Sequence, residues 1–105
     1  MEITSEIIKK HFKFERTWDV TKDCPEGSVD EYQFRCQDFV CRLMYHKAKD
    51  WEEPHWELDA SNLKYPFRNV KVKCLENVED LANCLVVFIT TNKEVKKLYN
   101  KLKSE

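Results

Sequence analysis

YQFRCQDFVCRLMY, residues 32–45, is the stretch whose reading decides the architecture. Tyr32, Phe34 and Cys36 share one parity, and Phe39, Cys41, Leu43 and Tyr45 share the other, so the alternation switches at Gln37 and Asp38. Alternation of apolar and polar side chains is the period of a half-buried strand. A parity switch inside such a run is made either by a tight hairpin or by a bulge in one long strand. The hairpin is the better reading, because Asp tolerates turn geometry even though no glycine is present.

The pattern extends in both directions from that hairpin. Upstream, Phe12, Phe14, Trp18 and Val20 alternate with Lys13, Glu15, Thr17 and Asp19, which predicts a strand, and KDCPEGS at 22–28 supplies a turn. Residues 3–10 begin as a short helix, with Thr4 or Ser5 as its cap and Ile7 and Ile8 facing inward. Downstream, Trp56 and Leu58 alternate with Glu57 and Asp59 in a strand that starts after Pro54. DASNLKYPF at 59–67 reads as a connection, Val70, Val72 and Cys74 as a further strand, and ENVEDLAN at 76–83 as a bridge to a buried strand, LVVFI at 85–89. Thr91 with Glu94 forms a capping box, and Val95, Leu98, Tyr99 and Leu102 then recur at helical spacing.

These elements predict an α+β domain spanning residues 1–105. It has about five or six mostly antiparallel strands, as a sheet or small barrel, with a C-terminal amphipathic helix packed on it. Strands closed by a terminal helix are also the element order of the pleckstrin-homology-like barrel, which is the alternative architecture. That likeness is one of order alone and fixes no function.

Composition narrows the function classes. With 42% hydrophobic and 12% aromatic residues the chain has material for a core, and with 35% charged residues its surface is very polar. The net charge of −1 gives no global bias toward nucleic acid or anionic lipid. The apolar run LVVFI is far short of the roughly 20 residues that span a bilayer. The start, MEITSEIIKKHF, lacks the basic, apolar and small-residue regions of a secretory signal, so a cytoplasmic or nuclear location is expected. Five cysteines, an odd number without close spacing, are expected to be reduced. The single glycine, Gly27, argues against a phosphate-cradling loop or a dinucleotide fingerprint, and no cofactor is expected.

The chemistry-bearing residues point to binding rather than catalysis. Zinc takes four thiolate or imidazole ligands, and the series Cys24, Cys36, Cys41, His46 and His55 contains the right residue types. Cys36 and Cys41, however, fall on strand patterns beside aromatic residues, where cysteine acts as a small hydrophobe, so no metal site is expected. Cys24 lies between Asp23 and Pro25 with Glu26 close by, and those carboxylates disfavour the thiolate that a nucleophile needs. No catalytic residue is assigned.

WEEPHW at 51–56 is the best lead, since it holds two of the three tryptophans in the chain. Trp51 and Trp56 are five apart and face opposite sides of an extended segment, which places one in the core and leaves the other partly exposed. An exposed tryptophan beside Glu52, Glu53 and His55 would receive a basic or proline-containing peptide of another protein. The expected function is therefore a non-enzymatic protein-interaction module, an adaptor or peptide-binding domain, with Trp51, Glu52, Glu53, His55 and Trp56 as the partner-binding residues. The alternatives are nucleic-acid binding through Lys93, Lys96, Lys97 and Lys101, and self-association as a homo-oligomer through a sheet edge or the aromatic patch.

Overall fold

A computed structural model describes residues 1–19, 28–47 and 53–105 of the chain. Helix α1 (Ser5–His11) is followed by strands β1 (Lys13–Asp19), β2 (Ser28–Cys36), β3 (Phe39–His46), β4 (His55–Asn62) and β5 (Asn69–Leu75), then by helices α2 (Val78–Cys84), α3 (Val86–Ile89) and α4 (Lys93–Lys103). The strands form one antiparallel sheet in chain order. This is the expected α+β architecture. The sheet is open, with β1 and β5 as its edges, so the alternative barrel does not form among the described residues. The expected turn at 22–28 lies almost wholly outside the described residues, as do Val20 and Cys24.

The parity switch is a hairpin. Cys36 pairs with Phe39, and Gln37 takes a φ of 45°, the left-handed backbone that a two-residue hairpin turn needs at its first central position. The register carries matched apolar residues across the sheet, in rows Tyr32–Leu43–Leu58–Val72 and Phe34–Cys41–Ala60–Val70. This face packs with Ile7, Ile8, Leu81, Leu85, Phe88, Val95, Leu98 and Leu102 into one core. The opposite face carries Glu31, Arg42, Asp59 and Lys71, so one side of the sheet is apolar and covered by helices and the other is predominantly polar.

Two bulges change which residues reach the core. On β1 the register shifts between Phe14 and Arg16, so that Phe14 pairs with the core residue Tyr32 while Trp18 pairs with Val29 on the other face. The expected single face of Phe12, Phe14 and Trp18 is therefore split, because a bulge residue reverses the alternation beyond it. On β5 the step from Val72 to Leu75 spans one residue more than the step from Leu58 to Trp56, and Cys74 sits at a φ of 58°. Leu75 thus takes the core position expected for Cys74, whose side chain is exposed.

The expected strand LVVFI is helical, which corrects both the strand assignment and the bridge before it. Asn77 caps α2 by accepting from the Asp80 N–H at 2.8 Å, and Glu79 and Asp80 favour its amino end. Val78, Leu81, Leu85 and Phe88 then recur every three or four residues on the buried side, whereas Val86 and Val87 are 47% and 52% exposed. A short apolar run has no period of its own that separates strand from helix. The strand predicted after Pro54 also runs on to Asn62, through residues read as a connection.

Helix α4 buries Val95, Leu98 and Leu102 and half-buries Tyr99, as its spacing predicts. Its cap is Asn92 instead of Thr91. The Asn92 side chain accepts from the N–H groups of Glu94 and Val95 at 2.8 and 3.4 Å, while the Thr91 hydroxyl donates to the Phe88 carbonyl at 2.9 Å. Helix and cap lie one residue further along than the capping-box pattern implies. No helix among the described residues is long and apolar enough to cross a membrane, and the four described cysteines are free thiols.

Candidate functional site

The start of β4 is fixed by its apolar residue. Trp56 is 7% exposed, stands opposite Tyr45 on β3, and packs its ring 4.8 Å from Tyr45 and 5.9 Å from Tyr32. Trp56 therefore belongs to the core. Trp51 and Glu52 lie outside the described residues. Glu53 and Pro54 are exposed and lead into the strand, and His55 is half-buried.

Anchoring Trp56 opens a cleft of about 500 Å³ at this end of the sheet. Its apolar lining includes Tyr45, Pro54, Trp56 and Leu75. Its ionisable lining is Glu53 from the approach to β4, Glu76 from just beyond β5, Glu2 from the amino-terminal segment, and His55 at the start of β4. Glu2 is held there by a bridge to Asn77 and by the Val78 N–H donating to the Met1 carbonyl at 2.8 Å. All three glutamates are exposed. No lysine or arginine lines the cleft among the described residues. Glu2, Glu76, Tyr45 and Leu75 were not among the sequence candidates, because they are far from 51–56 in the chain and meet it only through the β3–β4–β5 register.

A second constellation lies on the polar side of the sheet. His46, the last residue of β3, stands directly opposite His55, the first of β4, and Glu57 follows two residues on from His55 on the same side. The two imidazoles stack 4.7 Å apart at 3°. His46 Nε2 lies 3.0 Å from Glu57 Oε2, and His55 Nε2 lies 3.1 Å from Glu57 Oε1. His55 Nδ1 donates to the Glu53 carbonyl at 3.1 Å. The three side chains are only 15%, 10% and 19% exposed, in the order His46, His55 and Glu57. Burial acts to raise the Glu57 pKa, but the hydrogen bond from His55 and the charges of His46 and His55 outweigh it and hold the carboxyl below its usual range.

The described cysteines take no part in this group. Cys36 and Cys41 stand on the strand positions that face the helices, and the sheet separates them from the imidazoles. Burial pushes both thiols above their usual range, strongly so for Cys41. Lys93, Lys96, Lys97 and Lys101 line the exposed side of α4, where Lys97 pairs with Glu94 at 3.1 Å. The chain matches no family model, no curated protein and no solved structure.

Proposed function

We propose that the chain is a non-enzymatic protein-interaction module that receives a basic, proline-containing segment of another protein in the cleft at the start of β4. The observation that supports this reading is the sign and composition of the cleft, with Glu2, Glu53 and Glu76 around an apolar lining of Tyr45, Pro54, Trp56 and Leu75. A lysine or arginine stem lies along the apolar lining while its charged head meets a carboxylate, the division of labour that suits long basic side chains. Proline rings pack on aromatic faces without having to lose backbone entropy first. Trp56 serves as the buried support of the site, while Glu53, Glu76 and Glu2 carry the contacts. The carboxylates are exposed, so they chiefly set the choice of partner and the rate of encounter.

The test is calorimetric titration with a short peptide that alternates lysine and proline, against wild type and against Glu53→Lys, Glu76→Lys. Each exposed pair contributes about 0.5–1 kcal/mol, so loss of two weakens binding roughly 5- to 30-fold. Charge reversal adds repulsion to that loss. A variant that binds the peptide as tightly as wild type would refute the cleft as the site.

A further inference from the structure

We infer that His46, His55 and Glu57 form a binding site for Zn²⁺, with a fourth position left for water or a partner's side chain. The inference goes beyond the peptide cleft and departs from the expectation that the chain holds no metal. It does not rest on the cleft reading, although His55 also lines the cleft, because the donor set is argued from the three side chains alone.

The donor set is the first argument. Two imidazole nitrogens and a carboxylate oxygen lie within 4.8 Å of one another, and a two-histidine, one-carboxylate set is one that zinc uses when it keeps one position open. Spacing is the second. With bonds of about 2.0–2.1 Å, two ligand atoms on a tetrahedral zinc are roughly 3.3 Å apart. The two Nε2 atoms lie 3.0 and 3.1 Å from the oxygens of the one carboxylate. Because the two rings are stacked at 3°, admitting the ion requires the imidazoles to tilt about their side-chain bonds until both Nε2 lone pairs converge on it.

Tautomer and hydrogen-bond direction supply the third argument, independent of the distances. The Glu53 carbonyl can only accept, so His55 Nδ1 must carry the hydrogen of their 3.1 Å contact. Fixing the hydrogen on Nδ1 is how a backbone carbonyl prepares Nε2 to ligate a metal. His46 Nε2 is buried and lies 3.0 Å from Glu57 Oε2, within reach of an ion shared with that carboxylate. Without metal, each Nε2–H can donate to a separate oxygen of the Glu57 carboxylate; a divalent cation would take the place of both protons. Position is the fourth argument: all three residues stand in a paired strand register, so the donors are held before the ion arrives.

The experiment is titration of the full, reduced chain with Zn²⁺ alone near neutral pH in a non-coordinating buffer, repeated with Glu57→Gln and with His46→Ala. Nuclear magnetic resonance spectra of the metal-free variants establish that each remains folded, and Glu57→Gln keeps the size of the side chain if His46→Ala does not fold. The expected result is one ion per chain, shifted ring resonances of His46 and His55, and affinity lowered about tenfold or more in Glu57→Gln. Co²⁺ in place of Zn²⁺ should give visible absorption without the near-ultraviolet band of a thiolate ligand, which separates this site from the exposed Cys74. No stoichiometric binding, binding undiminished in Glu57→Gln, or a thiolate band would each overturn the assignment.

Discussion

Replacing Trp56 with alanine separates the structural part of the 51–56 segment from its binding part. The ring is 7% exposed and lies between Tyr45 and Tyr32, at 4.8 and 5.9 Å. Removing a buried tryptophan forfeits its transfer free energy and leaves a cavity, about 3–5 kcal/mol in comparable cores. Domains of this size are stable by about 5–15 kcal/mol, so the variant keeps between almost none and about four-fifths of its stability. With a urea slope near 1.5 kcal/mol per M, the unfolding midpoint falls by about 2–3 M. The assay is urea unfolding followed by far-ultraviolet circular dichroism, with Glu53→Ala as the control. Glu53 is exposed, so its replacement leaves the midpoint within about 0.3 M. A Trp56→Ala midpoint within 0.5 M of wild type, by the same slope a loss under about 1 kcal/mol, would refute the placement of this ring in the core.

Other perturbations test other parts of the structure. Asn92→Ala removes the α4 cap and should lower stability by about 1 kcal/mol, with Asn92→Ser recovering most of it; an unchanged midpoint would contradict Asn92 as the cap. With an aromatic disulfide reagent, Cys74 should react first and Cys41 last among Cys36, Cys41, Cys74 and Cys84, as read by peptide mass mapping; equal rates for Cys74 and Cys41 would refute their placement. Glu105 accepts from His11 at 3.0 Å, and that bond, with the charges of Lys10 and His11, outweighs desolvation and holds its carboxyl below the usual range. Its stabilising contribution is therefore present above the ordinary glutamate value of about 4.3 and is lost as pH falls through the lower folded value. In a carboxyl-carbon titration the Glu105 midpoint should rise in His11→Ala, and an unmoved midpoint would show that His11 is not its partner.

The elements readable from sequence were those with a clean local period. Gln37 and Asp38 betrayed the hairpin because the apolar parity reverses across them, and Val95, Leu98 and Leu102 betrayed α4 because three- and four-residue steps fit only a helix. What escaped was set by single-residue irregularities and by distant pairing. One extra residue near Glu15 turns Trp18 from the helix side to the polar side, and one near Cys74 delivers Leu75 to the core, yet neither bulge carries a glycine to announce it. LVVFI lacks internal polar residues, so its helical period shows only when Val78 and Leu81 are counted with it.

The two sites differ in how far they were legible. Glu53 and Trp56 were candidates from composition alone, but Glu2 and Glu76 join them through a sheet whose register no local pattern states. His46 and His55 carried a usable signal, since each stands at a strand end on the polar parity. Pairing those strands across residues 47–54 brings the imidazoles together. Reading them in one series with Cys36 and Cys41 obscured this, because the thiols stand on the opposite parity.

The most direct test of the central claim is a two-dimensional amide spectrum of the chain recorded while the lysine–proline peptide is added. The largest shifts should fall on Glu2, Glu53, His55, Trp56, Leu75 and Glu76, including the Trp56 indole, and should shrink as salt is raised. Shifts concentrated on Lys93, Lys96, Lys97 and Lys101, or a spectrum that does not change, would contradict it.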